Sequence, residues 1–341
     1  MNLQELLITI QKAVNLRSAW MDDLHQSAFR LFNGFIEGFP DLAIDIYARS
    51  IVIYNYANPP DSIRDLINPI SSFLRDRYPW IRAVVVKTRF SPELAARHGL
   101  VIYGENNDDR VREHGIWYAI DLQMTSDSSL YLDTRHLRQW IKVHAENRRV
   151  LNTFAYTGSL GVAAKAGGAS QVIHLDKSQK SLNLAKTSYL LNDFPIKKSE
   201  FISEDFFTWS SRLRRSEQRF DAVFLDPPFY SQTSAGRVDL NKQYSRLINK
   251  IRPLIIESGY IIAINNALFV SGKGFLSQLE ELCQDGFLGI ETLIPVPPDF
   301  SGFPENRLGV FPADPQPFNH PTKIAILKVL KVKPPSKVFS S

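Results

Sequence analysis

A short motif in the second half of the chain combines an acidic residue, two prolines and two aromatic residues. Asp226-Pro227-Pro228-Phe229-Tyr230 directly follows an apolar run that has the composition of a buried strand. In open α/β sheets, ligands bind at the carboxyl ends of the strands, where this motif falls. A carboxylate beside a rigid proline backbone and an aromatic ring is suited to hold a flat, nitrogen-bearing ring. Alternatively, Phe229 and Tyr230 form only a hydrophobic plug over the edge of the sheet.

Three further candidate ligand-binding residues follow three consecutive strand-like segments earlier in the chain. Gly158 closes the turn after the first segment, where a glycine lets the backbone approach a ligand and the next helix offers free N–H groups. Asp176 ends the second segment, eighteen residues later, and is placed to accept hydrogen bonds from ribose hydroxyls. Asp205 follows the third, where its carboxylate can accept a hydrogen bond from an adenine amino group. Together these residues predict a site for an adenosine-containing ligand.

The turn at Gly158 is not that of a dinucleotide site. It continues as Ser159-Leu160-Gly161 and therefore lacks the G-x-G-x-x-G fingerprint that cradles a pyrophosphate. A ligand without phosphates needs no such cradle, and S-adenosylmethionine is a ligand of this kind. Because the D-P-P-F motif follows the fourth strand, the pattern favours methyl transfer over hydride transfer.

No metal site is expected from the sequence. The seven histidines show no pairing with cysteine or carboxylates at the spacing of metal ligands. His174 lies inside a strand-like segment and is predicted to be a satisfied core histidine. Ser159 lacks the G-x-S-x-G context of a hydrolase nucleophile. The sequence therefore supports neither metal-dependent nor serine-hydrolase chemistry.

The elements that must position these residues alternate between strands and helices from about residue 116 onwards. This alternation predicts a Rossmann-like, doubly wound α/β fold with a mostly parallel, seven-stranded methyltransferase sheet. We assign residues 116–341 to this domain and expect 323–332 to form its last strand, at an edge of the sheet. Residues 1–115 indicate a small N-terminal α+β domain. The Pro-rich stretch 295–321 indicates a long loop, which we expect to border the substrate cleft.

The composition is that of an ordinary globular protein with a mild excess of positive charge. Of the 341 residues, 44% are hydrophobic and 22% are charged, and the net charge is +5. This charge permits a nucleic-acid partner but does not require one. The single cysteine excludes an internal disulfide and fits a reducing compartment. No apolar run approaches the roughly 20 residues of a membrane span, and residues 1–12 read as an amphipathic helix rather than a signal peptide. We therefore expect a cytoplasmic protein without a membrane partner.

Several segments of the chain together resemble one family of enzymes. They are Phe29–Gly34 with Gly38–Leu42, Tyr131–Arg135, Phe154–Gly158 and Asp226–Phe229. Residues from about 28 to 332 are similar to the class I S-adenosylmethionine-dependent methyltransferases that modify bacterial large-subunit (23S) ribosomal RNA. The resemblance implies that the segment ending at Arg135 packs beside the methionine end of the cofactor and that Arg135 binds its carboxylate. From its position alone, Arg135 also reads as a charge at a helix N-terminus.

The candidate site residues fall into three groups. The residues expected to bind S-adenosylmethionine are Arg135, Phe154, Tyr156, Thr157, Gly158, Asp176, Lys177, Asp205 and Asp226. The residues expected to form the catalytic lip are Asp226, Pro227, Pro228 and Phe229. The residues expected to contact the substrate are Tyr230, Asn265 and Asn266.

The position of the only cysteine bears on whether a nitrogen or a carbon atom receives the methyl group. A nitrogen can attack the methyl group with its own lone pair, whereas methylation of a cytosine carbon requires a thiolate that first adds to the ring. Cys283 lies in a helical segment well after the last motif and reads as a small core residue. Cytosine-5 members of the family carry their thiol just after the fifth core strand. This chain has Asn265-Asn266 there, which resembles the guanine-modifying members, so the carbon route is disfavoured.

We therefore expect an enzyme that methylates a purine nitrogen in 23S ribosomal RNA or an assembling large subunit, and the resemblance implies that this purine is guanine. Asp226 and the backbone of Pro227-Pro228 would hold the base, and Phe229 would stack on it. Asn265 and Asn266 would position the edge of the base, or only cap the following loop.

Two other functions stay open at this point. The acceptor of the methyl group could be a protein amide or a small molecule, and the chain could be a non-catalytic RNA-binding factor that keeps the fold. Residues 1–24 leave no room for the additional PUA-type domain of the cytosine-5 relatives. RNA binding is therefore expected to rest on the small N-terminal domain and on basic patches.

Overall fold

The computed structural model describes residues 1–216, 218–228, 230–233, 236–239, 244–308 and 315–331, with the backbone alone for those between 230 and 239. The helices within these residues are α1 (Leu3–Leu16), α2 (Gly34–Glu37), α3 (Arg64–Arg77), α4 (Leu94–His98), α5 (Arg135–His144), α6 (Ser159–Ala166), α7 (Gln179–Leu191), α8 (Phe206–Arg215), α9 (Tyr244–Ile251), α10 (Gly272–Cys283) and α11 (Pro298–Ser301). The strands are β1 (Ala28–Asn33), β2 (Leu42–Tyr47), β3 (Ser50–Asn55), β4 (Ala83–Thr88), β5 (Leu100–Tyr103), β6 (Arg110–Glu113), β7 (Ile116–Ala119), β8 (Arg149–Thr153), β9 (Gln171–Asp176), β10 (Phe201–Ser203), β11 (Phe220–Leu225), β12 (Tyr230–Thr233), β13 (Gly236–Asp239), β14 (Ile255–Asn265), β15 (Leu288–Ile294) and β16 (Lys323–Val329).

The chain folds into two compact units. Unit 1 comprises Met1–Arg135, Leu184–Asp193 and Pro297–Phe311, and unit 2 comprises His136–Asn183, Phe194–Val296 and Pro312–Ser341. This division differs from the predicted boundary after residue 115, because β6 and β7 form a hairpin that spans it. Part of the Pro-rich stretch likewise belongs to unit 1.

Unit 1 is built on a five-stranded sheet with the order β1-β2-β3-β4-β5. β3 and β4 run parallel, and the other neighbouring pairs run antiparallel. The core combines apolar side chains of the sheet with those of α1 and α3, such as Leu6, Ile10 and Ile70. In the register of β1 and β2, Arg30 stands directly opposite Asp45. The predicted α+β composition of the N-terminal region is thus present.

Unit 2 is built on a seven-stranded sheet with the order β10-β9-β8-β11-β14-β16-β15. The first five strands in this order are parallel, and β16 and β15 are antiparallel to their neighbours. The predicted Rossmann-like, mostly parallel, seven-stranded sheet is therefore confirmed. The predicted edge position of the last strand is wrong, because β16 lies between β14 and β15 and is almost entirely buried.

His174 lies in the middle of β9 and is fully buried, which confirms its prediction as a core histidine. Its ring stacks on Phe201 with the centroids 4.9 Å apart, and the amide nitrogen of Asn152 lies 3.4 Å from its Nδ1. A Cβ at Gly161 of α6 would come within 2.3 Å of this ring, so the glycine allows helix and strand to approach closely. Burial lowers the pKa of His174 from 6.5 to about 3.

This buried imidazole predicts a loss of stability in mild acid. Below pH 6.5 the unfolded chain protonates His174, whereas the folded protein does not until about pH 3, so acid favours unfolding. The free energy of unfolding should fall by about 2 kcal/mol between pH 6.5 and pH 5 through this residue. Urea denaturation of the wild type and of His174→Gln at both pH values measures the effect. Equal pH dependence in the two proteins would contradict it.

Within the residues that the structure describes, no helix has both the length and the apolar character that crossing a membrane requires. The same residues contain no cluster of three or more histidine, cysteine or acidic side chains able to hold a metal ion.

Candidate active site

The segment after β8 adopts an unusual backbone conformation. Phe154 (φ 53°), Tyr156 (φ 49°) and Gly158 (φ 77°) all lie in the left-handed region, which residues with a Cβ rarely occupy. The Ala155 N–H donates to Leu175 O over 2.9 Å, and the Gly158 N–H donates to Ala155 O over 2.8 Å. Strained backbone that is held in this way is characteristic of ligand-binding segments. The structure thus marks the predicted cofactor turn by a feature that the sequence does not reveal.

The carboxylate of Asp176, at the end of β9, fixes this segment. Its Oδ2 accepts the N–H of Tyr156 and its Oδ1 accepts the N–H of Ser178, both over 2.8 Å. Each carboxylate oxygen can accept a second hydrogen bond, so Asp176 can still receive ribose hydroxyls. Gly158 precedes α6 without a side-chain cap, and Thr157 is buried beside it. The carboxylate of Asp176 supplies acceptors, and the N–H groups at the N-terminus of α6 supply donors. Together these groups fit an adenosyl group.

Asp205 forms an ion pair with Lys177, and it also caps the N-terminus of α8. The Oδ1 of Asp205 accepts the N–H groups of Phe207 (2.9 Å) and Thr208 (3.2 Å), and Oδ2 lies 2.9 Å from the Nζ of Lys177. Partial burial alone would raise the pKa of Asp205, but the hydrogen bonds from Lys177 and the helix backbone lower it below its ordinary value. The side chain is therefore an ionised helix cap. Its contact with adenine, and that of Lys177 with the cofactor, stay predictions.

The D-P-P motif follows β11, in the middle of the sheet of unit 2. Asp226 is half-buried, Pro227 is buried and Pro228 is exposed. Phe229 lies outside the described residues, and of Tyr230 the structure describes only the backbone, in β12. The structure thus places the carboxylate and the prolines at the carboxyl end of the strand. Stacking of the base on Phe229 and contact of Tyr230 with the substrate stay predictions.

Asn265 ends β14, the strand next to β11, and is 3% exposed. Its Oδ1 accepts the N–H of Ala267 over 3.0 Å, so it caps the following loop. Its Nδ2 has no hydrogen-bond partner within the described parts of the chain. Buried N–H groups nearly always have a partner, so this amide offers a donor to a ligand. Asn266 is half-buried, and Lys323, the register partner of Asn265 on β16, has its pKa lowered to about 8 by burial.

Tyr244 was not predicted from the sequence, where it reads as one apolar position of an amphipathic helix. It begins α9 and is 1% exposed, and its hydroxyl lies 3.0 Å from the carbonyl oxygens of both Leu225 and Ile264. These residues immediately precede Asp226 and Asn265. Burial, reinforced by the charge of Asp226, raises the pKa of Tyr244 well above its ordinary value, so the hydroxyl remains a donor. One side chain thus ties together the two strand ends that carry the candidate residues.

We expect Tyr244→Phe to loosen these strand ends. Two buried carbonyls would lose their donor, which should lower the free energy of unfolding by about 1–2 kcal/mol. The methyl transfer that the sequence predicts depends on alignment, so the relaxed position of Asp226 should lower kcat by roughly 10-fold. Urea denaturation and steady-state kinetics measure the two effects. Tyr260→Phe removes a hydroxyl from β14, one of the two strands that Tyr244 bridges, and is the control. Equal kcat in both variants would refute the role of Tyr244.

Arg135, at the start of α5, belongs to unit 1, and its guanidinium has partners there. It forms an ion pair with Asp299, donates to Ala28 O over 3.2 Å and lies 5.2 Å from the ring centroid of Trp20. The carboxylate that it binds in this structure is therefore one of the protein's own. Binding of the methionine carboxylate by Arg135 stays a prediction.

Cys283 ends α10 and packs against the core of unit 2. Partial burial, followed by the charges of Asp285 and Glu280, raises the pKa of its thiol. A raised pKa keeps the sulfur in its weakly nucleophilic thiol form at neutral pH. These properties are those of a packing residue and not of an activated nucleophile.

The site can now be set beside known proteins. A family profile described as S-adenosylmethionine-dependent methyltransferase matches residues 74–303. YwbD of Bacillus subtilis, provisionally designated a ribosomal RNA large subunit methyltransferase, is 29% identical over 88% of this chain and 78% of its own length. Ribosomal RNA large subunit methyltransferase I of Aeromonas salmonicida is 33% identical over 69% of this chain, which spans 60% of that relative. The crystal structure of SMU.776, provisionally called a methyltransferase and complexed with SAH, has the same fold, with a TM-score of 0.82 at 24% identity over 96% of this chain and 82% of that one.

Proposed function

The chain belongs to the family of S-adenosylmethionine-dependent methyltransferases, and from this premise we propose that it methylates a guanine nitrogen of large-subunit ribosomal RNA. The observation that carries the proposal is the arrangement of three neighbouring strand ends in unit 2. The strained turn predicted to bind the cofactor follows β8, and Asp226-Pro227-Pro228 follows β11. Asn265, whose buried Nδ2 has no partner among the described residues, ends β14. Acceptor and donor groups at such an edge suit the polar rim of a nucleobase.

RNA as the substrate is supported by the relatives. The Bacillus and Aeromonas proteins are named as ribosomal RNA large subunit methyltransferases, and similarity to them extends over most of this chain. The net charge of +5 is compatible with a polyanionic partner. We extend the proposal to 23S RNA, free or in an assembling subunit, and to a cytoplasmic location, which the single cysteine supports.

The residues of unit 2 fit the cofactor. Asp176 would accept the ribose hydroxyls, and the segment Phe154–Gly158 would lie against the adenosyl group. When bound, S-adenosylmethionine supplies a methyl group on a positively charged sulfur, which a nitrogen lone pair can displace directly. The work of the protein is then to align the acceptor nitrogen, to exclude water and to hold the base still.

The D-P-P motif and Asn265 would supply this alignment. The carboxylate of Asp226 accepts a hydrogen bond from an amino or ring N–H of the base, which orients the nitrogen that reacts. The Nδ2 of Asn265 donates to a ring nitrogen or carbonyl oxygen of the same base. Tyr244 keeps these two residues at a fixed separation by bridging the strands that bear them.

Attack by nitrogen is favoured over attack by a cytosine carbon because of where the thiol lies. The only cysteine of the chain, Cys283, ends α10 and has a raised pKa, whereas Asn265 stands at the end of β14. A carbon acceptor would require a thiolate at the reacting base. A Cys283→Ser variant should therefore keep the full rate of methyl transfer, measured with labelled cofactor, and a loss of activity would contradict attack by nitrogen.

The decisive test is transfer of labelled methyl from S-adenosylmethionine to ribosomal RNA from a strain that lacks the gene, followed by nucleoside analysis. Methylated guanosine in large-subunit RNA is the expected product. Labelled 5-methylcytidine would overturn the choice of a nitrogen. Absence of label in RNA, with the cofactor tightly bound, would instead favour a protein amide or a small molecule as the acceptor.

A further inference from the structure

Unit 1 contains a cavity of about 160 Å³. It is lined by side chains of the sheet, by the segment 127–133 and by one residue of α11. The lining residues include the ion pair Arg30–Asp45, the tyrosines 47, 54, 56 and 131, and Phe300. A cavity of about 150 Å³ accommodates a single aromatic ring. The space therefore has the size for a planar ligand.

The wall of the cavity is held in place by long-range contacts. The buried ammonium of Lys87 donates to Thr125 O (2.7 Å) and Asp127 O (2.8 Å), which fixes the start of the lining segment. Farther along, the hydroxyl of Tyr54 contacts that of Ser128, and the hydroxyl of Tyr47 donates to Leu130 O over 3.1 Å. Side chains from β2, β3 and β4 thus anchor one loop at several points. Such anchoring preforms the cavity before any ligand binds.

Aromatic rings form much of the lining and continue to the surface. The rings of Tyr54 and Tyr56 stack at 6.0 Å, and Phe35, which is 56% exposed, meets Tyr56 edge-on at 5.0 Å. Tyr131 lines the cavity and is 40% exposed. In proteins that bind RNA, unpaired bases stack on aromatic side chains of this kind.

The polar groups of the lining include carboxylate acceptors and hydroxyl groups that can donate or accept. Asp45, Asp127 and Asp133 contribute carboxylates, and acceptors of this kind match the amino and ring N–H groups of a base. Arg30 neutralises Asp45 through two hydrogen bonds of 2.8 and 3.2 Å, and its guanidinium lies 4.1 Å from the ring centroid of Phe300. Arg89, which pairs with Asp127 and is half-exposed, adds positive charge near the lining segment for an RNA phosphate.

We propose that this cavity receives an unpaired nucleobase of the RNA substrate, stacked on the tyrosine rings with its amino edge toward the carboxylates. The inference rests on the proposed function, because it requires RNA as the substrate. It deepens that function by giving unit 1 a base-recognition site of its own. A base that carries an amino group, such as guanine, satisfies the acceptors better than uracil, which carries none.

Two measurements on the full-length protein test the cavity. Ultraviolet cross-linking to large-subunit RNA from the deletion strain, followed by peptide mapping, should place nucleotides on residues 50–64 or 113–135, which contain Tyr56 and Tyr131. Tyr131→Ala should lower kcat/KM for this RNA by roughly 5- to 150-fold, the range for loss of one stacked base. Tyr56→Ala should show a loss in the same range, and the affinity of both variants for S-adenosylmethionine should stay unchanged. Tyr103→Ala is the matched control. Tyr103 is a tyrosine of β5 in the sheet of unit 1, it is 39% exposed, close to the 40% of Tyr131, and it does not line the cavity.

The outcomes separate this inference from the proposed function. Cross-links at the cavity together with a selective loss in Tyr131→Ala would support it. If wild-type protein methylates RNA, but Tyr56→Ala and Tyr131→Ala behave like Tyr103→Ala and the cavity peptides carry no nucleotide, the cavity is not a base site and the proposed function stands. If wild-type protein transfers no methyl group to RNA, the proposed function fails and the inference fails with it.

Discussion

Asp226→Ala should lower kcat/KM for RNA methylation by about 10²- to 10³-fold, which is the largest catalytic loss expected from one change in this site. The carboxylate stands at the carboxyl end of the central strand β11, and its neighbour Pro227 is buried, so its backbone is fixed. Alanine would remove the acceptor that orients the base and leave the nitrogen free to turn away from the methyl group. Label transfer to RNA under subsaturating conditions measures the loss.

The matched control for this variant lies on the same strand. Asp221 is near the amino end of β11, where its Oδ2 accepts the N–H of Arg149 over 2.7 Å. Asp221→Ala removes a carboxylate of the same strand but should leave kcat/KM within a few-fold of the wild type. Asp226→Asn should fall between the two, since an amide keeps the shape and one acceptor but loses the charge. Wild-type activity of Asp226→Ala would show that the carboxylate does not align the acceptor.

Much of the fold of unit 2 could be predicted because its strands are short apolar runs bounded by polar residues. The second strand-like segment was predicted to end at Asp176, and β9 ends at this residue. The order of the strands could not be predicted in the same way, since pairing is a long-range property. β16 was therefore predicted to lie at an edge of the sheet, although β15 pairs with it on the side away from β14. β15 itself escaped prediction, because its pattern of half-buried positions around Gly289 is weak.

The candidate site could be predicted as far as residue types and strand ends allow. Asp176 and Asp226 stand where the pattern indicated, because polar residues that end buried strands must lie at the sheet edge. Partners from distant parts of the chain could not be predicted. The left-handed conformation of Tyr156 depends on a carboxylate twenty residues later, and Arg135 finds Asp299 more than one hundred and sixty residues away. Neither contact leaves a local pattern in the sequence.

Asp176→Ala should weaken binding of S-adenosylmethionine by about 100-fold or more. The carboxylate has two tasks, since it accepts the N–H groups of Tyr156 and Ser178 and is the predicted acceptor for the ribose hydroxyls. Each charge-assisted hydrogen bond contributes about 1.5–3 kcal/mol, so the loss of two to the ligand accounts for this factor. In addition, the left-handed backbone of Tyr156 would lose one of the contacts that hold it. Isothermal titration calorimetry with S-adenosylmethionine measures the affinity directly.

The control must separate binding of the ligand from support of the backbone. Asp285 also accepts a backbone N–H, that of Phe287 over 3.0 Å, and pairs with Arg252, but it lies between α10 and β15. Asp285→Ala should therefore change the free energy of unfolding without changing the affinity for the cofactor. Asp176→Asn keeps one acceptor oxygen and should lose less affinity than alanine does. If Asp176→Ala binds the cofactor as tightly as Asp285→Ala, the carboxylate only supports the turn, and the ribose hydroxyls must be bound by other residues of unit 2.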